Sequence, residues 1–95
     1  MVYSFDWDED KNLKNQQKHG VTFEEAQNAF ADRKKIILID AIHSKAEKRY
    51  FCIAKVGQGI VTVRFTYRGK IIRIFGAAFW RSGKKKYLDK NGGEI

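Results

Sequence analysis

Residues Ile60 to Phe75, IVTVRFTYRGKIIRIF, constrain the fold more than any other stretch of the chain. Val61, Val63, Phe65 and Tyr67 alternate with Thr62, Arg64, Thr66 and Arg68, the period of two of a strand with one buried face. Gly69 offers the positive φ that a tight turn needs, so the segment predicts an antiparallel hairpin turning at Arg68-Gly69. With that turn Tyr67 faces Lys70, Phe65 faces Ile72 and Val63 faces Ile74. On the other side Thr66 faces Ile71, Arg64 faces Arg73 and Thr62 faces Phe75. Like charges directly across a strand pair repel. Two guanidinium groups so placed hold an anion, are neutralised by a carboxylate such as Glu47, or turn out into water. Phosphate suits the first option, because the planar fork of Arg matches its oxygens.

The flanking elements follow from local signals. Phe5 and Trp7 alternate with charged neighbours in a short extended lead-in. Asp8 is spaced to cap a helix running to about His19, with Glu9 and Asp10 at its positive end and Gly20 closing it. Leu13 is nearly alone as an apolar residue there, so this helix lies on the surface, and His19 serves its negative end. Thr22 and Glu25 have the spacing of a capping box for a second helix, with Val21 stapling against Ala26 and Phe23, Ala26, Ala29 and Phe30 turned to the core. Ile36 to Ile39 is an apolar strand, 40–47 a polar loop, and Tyr50 to Val56 a further strand. A three-residue Gly57-Gln58-Gly59 loop would set Cys52 opposite Arg64 and Tyr50 opposite Thr66, bringing Tyr50 onto the arginine face and Arg49 onto the other. The expected architecture is α+β: one domain over 1–95, two N-terminal helices on an antiparallel sheet of about four strands, then a basic C-terminal segment frayed over 91–95.

Charge narrows the function. The 95 residues carry a net +8, unevenly spread. Residues 1–32 hold seven acids against three lysines, net −4, and the remainder sixteen Lys or Arg against four acids, net +12. A basic sheet and tail is a footprint for a polyanion, and the acidic start offers a place for a protein partner. Arg81, Lys84, Lys85 and Lys86 interleave with Trp80 and Tyr87, a pattern of phosphate-tracking cations and stacking rings; a solvated tail with its aromatics tucked in reads the same way. No apolar run reaches membrane-spanning length. The opening residues lack the parts of a signal peptide, and the lone Cys52 reads as a small buried side chain, so a cytoplasmic setting is expected.

Walker loops, dinucleotide fingerprints, paired-cysteine zinc spacings, GxSxG elbows and carboxylate clusters for two metals are all missing from the sequence. Phosphodiester cleavage by such a chain would use the 2′-hydroxyl of RNA as nucleophile, with the protein orienting the attack and offsetting charge. No cofactor or metal is expected.

Phe5-x-Trp7-Asp8-x-x-Lys11, Asn15, Lys18-His19-Gly20-Val21 and Phe23-Glu24-Glu25-Ala26 together resemble the BrnT toxin family. His43-Ser44, Glu47, Arg49 and Ile72-Arg73-Ile74 are similar to it too, so the resemblance covers about 5–76. It implies a RelE-like ribonuclease without cofactor, encoded beside a BrnA-type antitoxin. That antitoxin is a ribbon-helix-helix DNA binder that wraps the toxin, so operator DNA is reached only through it. Where the family form reads Ser-Ala-Arg after the last strand, this chain has Gly76-Ala77-Ala78, followed by WRSGKKKY. The missing arginine bears on catalysis rather than fold, and Arg81 is the nearby substitute.

The site residues expected for a ribonuclease are Arg64 and Arg73 on the scissile phosphate and His43 for proton transfer, with Glu47 orienting it or acting as base. Arg68, Tyr50, Arg81, Lys84 and Lys85 would contact RNA. Equally, His43 can be a loop residue bonded to backbone, and Glu47 can pair with Arg49 or Arg73. Two other functions stay open: an inactive toxin-like module that only pairs with its antitoxin, and a general RNA-binding domain.

Overall fold

The computed structural model describes residues 3–92. The order of elements is β1 (Ser4–Trp7), α1 (Glu9–His19), α2 (Phe23–Ala26), a 3-10 turn (Gln27–Ala31), β2 (Ile36–Ile39), β3 (Tyr50–Val56), β4 (Gly59–Arg68), β5 (Ile71–Ala78) and α3 (Arg81–Lys90). The five strands form one sheet in the order β1-β5-β4-β3-β2. The α+β class stands, with two differences from expectation. The lead-in at Ser4–Trp7 is a strand, and it pairs parallel to β5, so the sheet is mixed. The basic segment after the sheet is a third helix. Asn91 closes that helix through its backbone N–H on Tyr87 O, and residues 93–95 of the expected frayed end lie outside the described residues.

Both caps form as their sequences require. Asp8 accepts from the backbone N–H of Asp10 and Lys11, and Gly20 ends α1 at φ 71°. Thr22 and Glu25 make the reciprocal capping box. One face of the sheet, with Cys52, Val61, Val63, Phe65, Ile72 and Ile74, closes over Phe23, Ala26 and Ala29 as the main core. The other face is covered at one end by α3, whose Tyr87 packs on Ile36, Ile53 and Ile60. Gly83 permits that approach, because a Cβ there would overlap the side-chain oxygen of Thr62. Tyr87 also donates its hydroxyl to Asp32 (2.7 Å), tying α3 to the turn before β2.

Asn12 and Asn15 fix α1 to the rest. Asn12 is buried, donates to Glu9 and Glu24 and accepts from Phe23 N–H at the start of α2. Asn15 donates to the carbonyls of Val21 and Ala77 and accepts from Ala77 N–H. Beyond the four residues that β1 covers, this side chain satisfies the outer edge of β5 as a further strand would.

Both hairpins turn one residue away from the expected place, for one reason. Gly57 (φ 60°) and Gly69 (φ 63°) occupy the first central position of two-residue turns, Gly57-Gln58 and Gly69-Lys70. In β4–β5 this slides the partners without changing faces, giving Phe65↔Ile74, Thr66↔Arg73 and Arg68↔Ile71. A bulge at Phe75 then sets Arg64 against Gly76. Arg64 and Arg73 therefore share a face but are not directly opposed. In β3–β4 the two-residue loop shifts register by one and exchanges the faces. Tyr50 pairs with Phe65 and Phe51 with Arg64, so Tyr50 stacks in the core (5.5 Å to the Phe65 ring) rather than joining the arginine face.

Candidate functional site

Arg64 is half-buried at the centre of the sheet face that α3 leaves open, and no ion pair reaches it among the described residues. Two concavities meet at it. One, of about 270 Å³, lies between the sheet and the start of α3, lined by Leu38, Phe51 and Ile53 below and by Trp80, His43 and Lys86 around its mouth. The other, of about 210 Å³, lies against α1 and is lined by Lys11, Lys14, Lys18, His19 and Phe75. Arg64 and Trp80 line both. The lysines at 11, 14 and 18 recur at the spacing of one helical face. Phe75, pushed out by the bulge, has the Arg49 guanidinium 4.1 Å from its ring centre and Lys11 Nζ at 5.8 Å. Arg49 thus stands on the groove side, not on the opposite face. Together these groups make a basic groove running from α1 across Arg64 to the start of α3.

His43 is held by Asp40. Its Nδ1 lies 2.8 Å from Asp40 Oδ2, and its backbone N–H donates to Oδ1. Asp40 is 4% exposed while the imidazole is half in solvent. A carboxylate on Nδ1 leaves Nε2 as the ring atom able to exchange protons. The loop that carries this pair is closed by Asp40 N–H to Arg49 O (2.7 Å), and Ser44 Oγ donates to Asp40 O and accepts from Arg49 N–H. Thr66 Oγ1 donates to Lys48 O and anchors the loop's far end to the sheet.

The other expected site residues are dispersed. Arg73 is neutralised by Asp6 of the adjoining strand (2.7 Å), so the carboxylate reading holds for it, with Asp6 in the part given to Glu47. Glu47 pairs with Arg68 (3.1 Å) instead of Arg49 or Arg73, and it does not orient His43; Asp40 does. Arg81 and Lys84 line a separate recess beside Gly59 and Phe79, and Lys85 pairs with Asp89 one helical turn on. Arg81 therefore does not substitute beside Arg64. At Ala78, the position of the missing arginine, the side chain is buried opposite Thr62.

Sequence reasoning missed Asp40 and the α1 lysines, whereas Lys86, expected among the phosphate-tracking cations, does line the groove. The lysine spacing was present at Lys11, Lys14 and Lys18, but summing charge over residues 1–32 hid it beneath the acids. Nothing in the sequence marked Asp40 as more than the start of a loop.

A family described as "Ribonuclease toxin, BrnT, of type II toxin-antitoxin system" matches over residues 7–82. Among solved structures, the ribonuclease toxin BrnT of Brucella abortus has the same fold, with a TM-score of 0.63 at 22% identity. The likeness covers 81% of this chain and 95% of that one. No curated protein matches.

Proposed function

The chain belongs to the BrnT family of type II toxin–antitoxin ribonuclease toxins, and we propose that it cuts RNA in the groove centred on Arg64, without a metal ion. The observation that carries this reading is a cation that no carboxylate pairs among the described residues, half-buried between two basic concavities and beside an imidazole positioned by a buried aspartate.

In this mechanism α1's lysines and Lys86 hold the RNA backbone by charge, and Arg64 receives the scissile phosphate. The 2′-hydroxyl attacks the adjacent phosphorus, the 2′ proton leaves to a base, and the 5′ oxygen departs with a proton returned to it. The products are a 2′,3′-cyclic phosphate and a free 5′-hydroxyl. Nε2 of His43 carries a proton in one of these transfers, with Asp40 holding the ring in place. Arg64 offsets the charge that grows on the non-bridging oxygens.

Purified protein and an RNA oligonucleotide test this directly. Cleavage persists in EDTA and stops when the nucleotide 5′ of the cut carries a 2′-deoxy sugar. Arg64→Ala lowers the rate by roughly 10²–10³-fold, the usual loss for one transition-state donor, without lowering the melting temperature. Intact RNA under all conditions would sink the reading.

As a type II toxin the chain implies an antitoxin partner. In our reading that partner is BrnA-type, and operator DNA is bound through it. A second reading, an inactive module that only pairs with the antitoxin, draws on the neutralised Arg73 and on Ala78 standing where an arginine was expected. Expression with and without the antitoxin gene separates the two: growth arrest with broken RNA supports cleavage, and normal growth despite tight pairing supports the inactive module.

A further inference from the structure

We propose that the cavity between the sheet and the start of α3 receives one nucleobase of the RNA, beside the phosphate at Arg64, and so decides which sequence is cut. The proposal deepens the cleavage reading and rests on it for the identity of the polymer.

Three features of the cavity converge on that occupant. Its floor is apolar and is built by one row of the sheet: Leu38 of β2 pairs with Phe51 of β3, and Phe51 pairs with Arg64 of β4. That row places an aliphatic and an aromatic side chain in line with the guanidinium, on the same face. At the mouth Lys86 carries the positive charge, with His43 and the partly exposed Trp80 also in the lining. A free polyphosphate gains nothing from the floor, and an apolar side chain gains nothing from the rim. A base attached to a phosphate uses both, with the ring on Trp80 or Phe51 and the charge on Arg64.

The second feature is size. About 270 Å³ takes a single planar ring system and excludes a helix or a duplex, whose bases are in any case unavailable until unpaired. The third is continuity. Because Arg64 and Trp80 line this cavity and the lysine groove alike, a strand tracked along α1 arrives with its next nucleotide at the cavity mouth. Ser82, exposed at that mouth, makes no hydrogen bond with other described residues, so its hydroxyl is available to a base edge.

The test titrates the full chain with each of the four nucleoside 5′-monophosphates and with ribose 5-phosphate, followed by NMR. Expected are shifts of Leu38 and Phe51 with at least one nucleotide and none of these with ribose 5-phosphate, which shifts Arg64, Lys14 and Lys18 alone. Leu38→Trp fills the cavity and removes the first set while keeping the second. Ser82→Trp blocks the mouth from the exposed helix turn and does the same should the first variant not fold. On RNA, either variant flattens base preference around the cut and raises KM more than it lowers kcat. Equal shifts with ribose 5-phosphate, or an unchanged base preference in both variants, would overturn the proposal. A chain that cuts RNA with no base preference removes the base cavity alone. One that binds nucleotides at Phe51 but never cuts supports the cavity and removes the cleavage reading.

Discussion

Arg64 and Arg73 carry the same side chain on the same face of the sheet, yet their surroundings assign them different work. Arg73 is 24% exposed and held by a half-exposed Asp6, so its charge is spent within the protein. Arg73→Ala is expected to slow RNA cleavage far less than Arg64→Ala, and to cost under ~1 kcal/mol in urea unfolding, the usual worth of a solvated pair. Rates of the two variants on one RNA decide it, and equal losses would contradict the assignment. Asp40→Asn is expected to lower kcat with little change in KM, since it acts through the orientation of His43. Thr62 differs in kind: its hydroxyl is buried against Gly83 with no hydrogen-bond partner among the described residues. Thr62→Val is expected to raise stability by about 1 kcal/mol, because an unsatisfied buried hydroxyl costs that much or more.

Among the elements, α1 and α3 do the positioning: α1 is fixed by the side-chain amides of Asn12 and Asn15, and α3 by Tyr87, which is both packed on apolar side chains and hydrogen-bonded. Asn15 serves the free edge of β5 from the middle of α1. Its replacement by Ala leaves the N–H and C=O of Ala77 unpaired and is expected to cost about 2–3 kcal/mol, read by denaturant unfolding. Helix α3 hangs on Gly83 and on the Tyr87–Asp32 bond. Burial, with help from Asp32, pushes the Tyr87 hydroxyl up to about 12. For Asp32, burial acts upward, but hydrogen bonds from Tyr87 and from the backbone of Lys55 and Lys34 outweigh it and hold the carboxyl below its ordinary value. The signs follow from linkage. A raised phenol contributes stability that is intact below the ordinary tyrosine range, near 10, and is lost as pH rises toward 12. A lowered carboxyl contributes above its ordinary value of 3.8 and loses that as pH falls through the lowered one. Near-ultraviolet circular dichroism should therefore show α3 loosening between about pH 10 and 12, a transition that Tyr87→Phe removes.

For the molecule as a whole, the sheet separates its tasks by face. One side is core; the other is divided between the α3 contact and a basic groove bounded by the helices. Binding that depends on such a groove releases counterions, with a slope of about 0.7 in log K per phosphate contact for a single strand. Replacing Lys14 or Lys18 by Ala should lower the salt slope of RNA affinity by about that amount, whereas Lys45→Ala, outside the groove, should leave it unchanged. The described helices include none long and apolar enough to cross a membrane.

The caps at Asp8 and Thr22, the closure at Gly20, the alternation of β4 and the buried faces of Phe23, Val63 and Phe65 were all written in the sequence. Each depends on residues within a few positions of one another, and local physics is what sequence patterns record. Asp6 on Arg73, Asn15 at the edge of β5 and α1's lysines turned toward Arg64 were decided by tertiary structure. Their partners are distant in the chain, or depend on a register that two glycine turns set one residue away from where the pattern put them. That single step moved Tyr50 into the core and Phe51 beneath the groove, because side chains alternate along a strand and one residue exchanges the two faces of a sheet.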